Sequence, residues 1–309
     1  MKGLILAGGK GSRLYPVTHH IPKPLLPIAN RLGLEYAFDC LKDMAVQDIC
    51  LVVGENESPM KAALGDGRQF GVQLTYVRQP EPKGLAHAVG CAEDAIKGED
   101  FVLYLGDEVY SRGFRAEAEL FKASDCANLN IVQAVEDPSR FGVATVVDGR
   151  IVKLEEKPKN PTSNLVMAGL YFFGPEIWEV LPTLRPSARG EYEITDAIQE
   201  LIHRGHLVLA SEFDGEWFDT GTLESFLETN RFLIDDGDLF GEGSVVEGQV
   251  GENVVIGDGA IVEAEIIEDS VVLPGARVKV AGSIRHCLLG GEIWAENSLE
   301  GQILYGGQE

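Results

Sequence analysis

Apolar residues follow two rhythms along this chain. In the first half, short apolar runs at Gly3–Ala7, Ile49–Val53, Leu74–Val77 and Phe101–Leu105 read as strands. Between them, apolar residues recur at helical spacing. Leu34, Ala37, Phe38 and Leu41 mark a helix over Leu34–Met44, Met60–Leu64 lies on a short helix, and Leu85–Ile96 reads as a longer one. Strands alternating with helices at this spacing predict an α/β fold with a mostly parallel sheet and flanking helices. Ligands in such folds bind beyond the carboxyl ends of the strands. Chemistry is therefore expected in the loops Gly8-Gly9-Lys10-Gly11-Ser12-Arg13 and Gly106-Asp107-Glu108.

From Val250 the rhythm changes to six. Val250, Ile256 and Val262 form one series; Val254, Ala260, Ile266, Val272, Val278 and Ile284 form a second. Gly-Glu-Asn, Gly-Asp-Gly and Pro-Gly-Ala turns lie between them. A hexad of this kind predicts a parallel β-helix, with about 18 residues per coil and roughly three coils. The boundary is expected in the polar stretch Asp235-Asp236-Gly237-Asp238, after a helical run over Glu224–Leu233. Two domains follow, residues 1–235 and 236–309, as the length of 309 residues also suggests at roughly 100–200 residues per domain.

Charge and cysteine content narrow the partners. The 26 Lys and Arg stand against 49 Asp and Glu, a net charge of −23. Such a surface repels nucleic acid and anionic membrane. The five cysteines (Cys40, Cys50, Cys91, Cys126, Cys287) show no C-x-x-C spacing, which argues against a disulfide framework or a structural zinc. No apolar run approaches a membrane span, and the Gly-interrupted start does not read as a secretory signal. A cytoplasmic protein is expected.

The glycine loop matches neither G-x-x-x-x-G-K-[ST] nor G-x-G-x-x-G, which removes the main support for P-loop and NAD readings. Gly8, Gly9 and Gly11 nonetheless let backbone amides approach an anion, and Arg13 can grip phosphate with its planar fork. Ten residues on, Pro22-Lys23-Pro24-Leu25-Leu26-Pro27 holds a lysine in an extended segment. Together these motifs resemble the sugar-phosphate nucleotidyltransferases, which make NDP-sugars from an NTP and a sugar 1-phosphate. Several later segments fit in order: Gln79-Pro80-Glu81-Pro82-Lys83-Gly84-Leu85-Ala86-His87, Tyr104-Leu105-Gly106-Asp107, Glu155-Glu156-Lys157-Pro158, Met167-Ala168-Gly169-Leu170-Tyr171 and Asp219-Thr220-Gly221-Thr222. The stretches Gly65–Val72 and Pro186–Asp196 look most like the glucose-1-phosphate thymidylyltransferase group, whose longer members carry a left-handed β-helix.

The resemblance implies a Rossmann-like catalytic domain and a set of roles. Arg13 and Lys23 neutralise a triphosphate. Gly8, Gly9 and Gly11 approach the nucleotide, while Gln79 and Gly84 read its base. Asp107 and Asp219 hold Mg2+. Gly142, Glu156, Lys157, Met167, Tyr171, Arg189 and Glu191 form the sugar-phosphate pocket. The implied reaction joins dTTP to glucose 1-phosphate, giving dTDP-glucose and pyrophosphate. UTP, or GTP with mannose 1-phosphate, is the rival within the class; a non-catalytic nucleotide-sugar-binding subunit is the rival outside it. There are departures. Lys23-Pro24-Leu25 stands where the thymidylyltransferase group usually has K-Q-L, Arg31-Leu32 stands where K-P is usual, and Glu108 replaces the Asn of L-G-D-N. Glu108 adds a carboxylate beside Asp107, which would either tighten metal binding or face solvent; solvent is expected. His19-His20 reads as a solvated loop, and His286-Cys287 as structural and not as acyl-transfer chemistry. The acidic tail is expected to assemble a homo-oligomer through Leu288, Leu289, Ile293, Trp294, Leu304 and Tyr305.

Overall fold

Four strands, Gln73–Arg78, Asp48–Val53, Lys2–Leu6 and Phe101–Leu105, lie side by side in parallel in the computed structural model, which describes residues 1–235 and 237–307. Asp236, Gln308 and Glu309, all within the second expected domain, lie outside the described residues. Lys2–Leu6, Asp48–Val53 and Phe101–Leu105 are built mainly of aliphatic and aromatic residues, as burial on both faces requires, whereas the edge strand Gln73–Arg78 fully buries only Leu74. Leu4, Ile5, Leu51, Val52, Val53, Phe101, Val102 and Leu103 are wholly shielded. The sheet continues through Leu165–Phe173, Asn128–Ala134, Val208–Glu212, Arg150–Glu156 and Gly142–Val147 to nine strands. In this second half Val208–Glu212 runs parallel to Asn128–Ala134, and the other neighbours are antiparallel.

The expected helices appear at Gly33–Asp43 and Glu57–Leu64. The run over Leu85–Ile96 forms two helices, Leu85–Cys91 and Glu93–Ile96, because Ala92 adopts φ −89 and ψ 0 between them. Gly90, a weak helix former, precedes this break. Ala86, Ala88 and Val89 pack with Leu4, Val52, Phe101 and Ile198 in the core beneath the sheet. No helix among the described residues is long and apolar enough to cross a membrane.

The chain divides into two compact units. One is Met1–Gly9 with Tyr36–Trp217, and it contains the nine-stranded sheet. The other is Lys10–Glu35 with Phe218–Glu309. In the second unit, parallel rungs stack on three faces. One face carries Leu239–Phe240, Val254–Ile256, Ser270–Val272, the start of Leu288–Ala295, and Ile303–Gly306. Successive rungs are fifteen to seventeen residues apart: Val254 pairs with Ser270, Val271 with Leu288, and Leu288 with Ile303. The coil is thus shorter than the expected 18, and five rungs on one face make more turns than three. The pairing slips between Glu247 and Gln249, so the hexad does not hold its phase. Ile267, not Ile266, fills the interior with Val254, Ile256, Ala260, Val262, Val272, Val278 and Ile284.

The interior also takes Leu289, which is fully buried, and Ile293, which is nearly so, while Leu288 is fully buried outside that cluster. These three expected assembly contacts are therefore already covered within the chain. Trp294 is the exception, 72% exposed. His286 and Cys287 are structural. Cys287 is buried, and burial pushes its thiol pKa up.

Residues 10–35 are held by the tail. The Asn30 amide donates to the Ile256 carbonyl at 2.8 Å, and the Ala29 amide donates to Asn230 Oδ1 at 2.8 Å. The His20 ring stacks on Tyr305, with centroids 4.1 Å apart and planes 10° from parallel. The helix Leu223–Leu233 starts at a capping box of Thr222 and Ser225. Near its end, Arg231 forks onto Asp269 at 2.5 and 2.8 Å. His286 Nδ1 lies 2.7 Å from the same carboxylate, and its Nε2 lies 2.9 Å from Glu224.

Asp269 is the centre of this staple. Burial raises its carboxyl pKa, but Arg231 and His286 outweigh that and hold it below the ordinary value of 3.8. A carboxyl depressed by folding adds stability above its unfolded pKa and loses it as pH falls through the folded one. Asp269→Ala is expected to lower stability by about 2 kcal/mol at pH 7, as loss of charge-assisted hydrogen bonds does. The difference from wild type should shrink below about pH 4. Urea titrations of both proteins at pH 7 and pH 3.5 check this; equal midpoints at pH 7 would remove the staple's role.

Candidate active site

In the first unit, three loops leave the carboxyl ends of adjacent parallel strands. Leu6 pairs with Leu105, so Gly8 and Asp107 follow neighbouring strand ends, and the Gly106 amide donates to the Leu6 carbonyl at 3.0 Å. Val53 pairs with Arg78, and the Gln79 amide donates to the Val53 carbonyl at 2.8 Å. Gly8, Gln79 and Asp107 therefore emerge where a parallel sheet presents its ligand-binding loops. Gly9 is exposed beside Gly8. Asn56 ties the floor of this region, donating to the Ala7 carbonyl at 2.8 Å and accepting from the Gly54 amide at 2.9 Å.

Gln79 Nε2 lies 3.2 Å from the Gly84 carbonyl and 3.0 Å from His87 Nδ1. Gly84 has φ +102, and an added Cβ would stand 2.5 Å from the Tyr192 carbonyl oxygen. The turn is pinned to Tyr192, whose amide donates to the Lys83 carbonyl at 2.7 Å and whose carbonyl accepts from the Ala86 amide at 3.0 Å. Glycine is required here by both conformation and contact.

Glu108 does not face solvent. It is buried against Gly169 and accepts from the Trp217 indole at 2.7 Å. Its charge adds to burial in pushing up the phenol pKa values of Tyr104, Tyr110 and Tyr171. Glu108 therefore braces the strand Leu165–Phe173, whose pairing shifts between Met167 and Tyr171 around the left-handed Gly169.

The sugar-pocket residues gather around Glu156. A Cβ on Gly142 would touch Thr195, Met167 and Glu156 at 2.5, 3.3 and 3.5 Å. Thr195 Oγ1 donates to Glu156 Oε2 at 3.0 Å, and Arg189 Nη1 donates to Glu156 Oε1 at 3.1 Å. Lys157 Nζ lies 3.6 Å from the same carboxylate. Arg189 also donates to Glu191 at 3.1 Å and lies 3.5 Å from Glu193. Met167 and Tyr171 are buried in the wall behind this cluster. Lys157 has φ +43, a strained conformation for a long side chain. Sequence reasoning missed Glu193 and Thr195. Glu193 is buried, and its carboxyl pKa is raised first by burial and then by Glu156. Their position inside the Pro186–Asp196 motif was the available signal.

In the second unit, the phosphate segment closes on itself. The Gly11 carbonyl accepts from Thr18 Oγ1 at 2.8 Å and from the Leu14 amide at 2.9 Å. Arg13 Nη2 and Lys23 Nζ lie 3.8 and 3.7 Å from the two oxygens of Asp219. Lys23 is largely enclosed, its side chain 9% exposed, whereas Arg13 is 51% exposed. Asp219 Oδ1 is buried and accepts no hydrogen bond. His19 and His20 end the short helix Val17–His20 and do not lie in a loop; both are exposed, and the His20 ring stacks on Tyr305.

The fold is that of a nucleotidyltransferase. The Nucleotidyl transferase family matches residues 2–236, and the chain belongs to that family. The chain is 42% identical over 252 residues to the glucose-1-phosphate thymidylyltransferase of Streptomyces antibioticus, covering 81% of this chain and 71% of that protein. It is 43% identical over 247 residues to the low-salt glycan biosynthesis nucleotidyltransferase Agl11 of Haloferax volcanii, covering 79% and 69%. A crystal structure from Bacillus anthracis, assigned as a glucose-1-phosphate thymidylyltransferase, superposes with a TM-score of 0.72 at 38% identity. It covers 76% of this chain and 96% of its own.

Gly84 gives the sharpest test of the base loop. Gly84→Ala is expected to raise the KM for nucleotide at least about tenfold, since the added methyl must move Tyr192 backbone or the turn itself. Initial-rate kinetics at saturating sugar phosphate measure it. An unchanged KM would mean that this turn does not meet the nucleotide.

Proposed function

We propose that this nucleotidyltransferase transfers a thymidylyl group from dTTP to glucose 1-phosphate. An oxygen of the sugar phosphate attacks the α-phosphorus in line, and the bond to pyrophosphate breaks as the new one forms. The observation that carries this reading is the Glu156 cluster, where Arg189 and Lys157 meet a carboxylate packed closely against Gly142. Such a set suits a ligand bearing both hydroxyls and a phosphate. Glu156 and Glu191 are assigned to sugar hydroxyls, and Lys157 and Arg189 to the sugar phosphate. Gly8, Gly9, Gly11, Gln79 and Gly84 are assigned to the nucleotide. Arg13 and Lys23 are assigned to the triphosphate, where they neutralise charge that grows on the leaving pyrophosphate.

Asp107 and Asp219 are assigned to Mg2+. Oδ1 of Asp219 fits this role: it is buried and takes no hydrogen bond, with the Lys23 ammonium 3.7 Å away, and a carboxylate oxygen not held by a hydrogen bond suits a hard cation. Among the described residues no group of three or more His, Cys, Asp or Glu could hold a metal alone. That too fits Mg2+, which is commonly bound by one or two carboxylates plus substrate phosphates. When bound, the ion would draw charge from the α-phosphate oxygens.

Pyrophosphate release is the direct assay, run with dTTP, UTP, GTP, ATP and CTP against glucose, mannose and N-acetylglucosamine 1-phosphates. The dTTP and glucose 1-phosphate pair is expected to give the highest kcat/KM. Asp107→Asn and Asp219→Asn are each expected to cost about 10²–10³-fold or more in kcat with the fold retained. Near wild-type turnover at saturating Mg2+ in either variant sinks that residue's assignment. A preference for GTP with mannose 1-phosphate sinks the substrate reading.

The enzyme is further proposed to act in the cytoplasm as a homo-oligomer. Its β-helix is assigned the assembly surface, with exposed Trp294 at the contact. A C2 or higher closed assembly is the common solution for such a surface. Light scattering of Trp294→Ser is expected to show a smaller particle than wild type. A monomeric wild type, or an unchanged assembly in the variant, removes this assignment.

A further inference from the structure

Two acceptors converge on a single nitrogen in the base loop. Gln79 Nε2 lies 3.2 Å from the Gly84 carbonyl oxygen and 3.0 Å from His87 Nδ1. A primary amide carries two protons on that nitrogen, and these two partners take both. Turning the amide over would set Oε1 against the Gly84 carbonyl and against the lone pair of an unprotonated Nδ1. The amide therefore has one orientation while Nδ1 of His87 carries no proton, the tautomer in which Nδ1 accepts from Nε2. Oε1 then points toward Gly8, where an added Cβ would lie 3.6 Å from it. Among the described residues, the hydrogen bonds of the Gln79 side chain are made by Nε2, and Oε1 accepts none.

We propose that His87 is a positioning residue for base selection, holding the Gln79 amide so that its oxygen, an acceptor, faces the base. The inference rests on the assignment of Gln79 to the nucleotide base. Thymine and uracil present an N3–H donor to such an acceptor. Cytosine presents a lone pair at N3, which meets Oε1 acceptor against acceptor. CTP, which differs from UTP only at the N3–C4 edge, is thus the nucleotide this device rejects.

The same bond makes the choice of base depend on pH. His87 Nδ1 can accept only while it is unprotonated. The ring is flanked by Tyr192, with centroids 6.3 Å apart, and by the charges of Lys83 and Glu81. Burial and then Lys83 lower its pKa, Glu81 raises it, and the net value is below the ordinary 6.5. His87 is accordingly neutral at neutral pH. On protonation, Nδ1 becomes a donor facing a donor, and the hold on the amide is lost.

The test is the ratio of kcat/KM for UTP to that for CTP, with glucose 1-phosphate, from pH 8 to pH 5.5. Ionisation of the triphosphate and of the sugar phosphate is common to both assays and cancels in the ratio. In wild type the ratio is expected to fall about tenfold toward pH 5.5. His87→Ala should lower it about tenfold at pH 8. His87→Asn, whose Oδ1 replaces Nδ1 as acceptor and takes no proton, should restore the ratio and hold it flat with pH. Gln79→Ala separates the two levels of the argument. If Gln79→Ala collapses the ratio and His87→Ala leaves it unchanged, His87 has no such role while the base assignment stands. If Gln79→Ala also leaves it unchanged, Gln79 does not read the base and the proposal falls with that assignment. A pH dependence that survives in His87→Asn overturns the proposal as well.

Discussion

Cations held against carboxylates are the interaction on which the candidate site depends. The chain carries a net charge of −23, and its proposed ligands are polyanions. A free cationic patch in such a field would draw its own acidic surface onto itself. Instead, each proposed phosphate-binding cation has a carboxylate partner at 3.1–3.8 Å: Arg13 and Lys23 at Asp219, Lys157 and Arg189 at Glu156. At such distances a pair near a protein surface is worth about 4 kcal/mol before desolvation is subtracted. The carboxylates hold the long side chains extended in the absence of ligand, which reduces the ordering cost on binding. A phosphate entering beside Arg189 replaces one anion with another, so the electrostatic change is an exchange and not a creation of new charge contacts.

That arrangement requires a firm scaffold for the segment bearing Arg13 and Lys23, and the tail supplies it. A β-helix leaves carbonyls at its corners and apolar surface at its last rung. Here Asn30 donates to the corner carbonyl of Ile256, and the ring of His20 covers Tyr305 on the final strand. Asn230, buried in the helix that carries the chain into the tail, spends its oxygen on the Ala29 amide and its nitrogen on the Phe226 carbonyl. Residues near the start and near the end of the sequence thus satisfy each other's polar groups. The tail can position the phosphate segment without contributing a catalytic group.

The parallel strands and their loops were legible because burial on both faces demands uninterrupted apolar runs, and Phe101–Leu105 is such a run. The strand Asn128–Ala134 was not, because it opens Asn-Leu-Asn. Those asparagines are buried by a private network, Asn130 donating to Asn128 at 2.6 Å and Asn128 to the Phe172 carbonyl at 2.8 Å. A one-dimensional pattern cannot register a polar residue whose partners lie on other strands. The hexads failed in phase for a related reason. The extra residue lies in Ala264-Glu265, which together oppose the single Gly248 on the preceding coil, and only the stack reveals that shift.

Within the site, motif residues were legible as types and not as pairs. Glu108 shows the difference. Beside Asp107 it reads as a second carboxylate at the metal loop, but Trp217, more than a hundred residues away in sequence, takes its proton-accepting oxygen into the interior. Asp107 lies in a turn, and Glu108 opens the strand Glu108–Tyr110 just beyond it, where its buried carboxylate must find a donor. Trp217 provides that donor and the bare Cα of Gly169 the room, and the charge of Glu108 then acts on structure, adding to the burial that raises the phenol pKa values of Tyr104 and Tyr110. Glu193 followed the opposite course. It stands in a motif read for Arg189 and Glu191, yet it is the more buried carboxylate, tied to Ser187 at 2.8 Å and within 3.5 Å of Arg189. Arg189 is consequently shared among Glu156, Glu191 and Glu193, and that sharing fixes its guanidinium in one orientation more firmly than a single partner would.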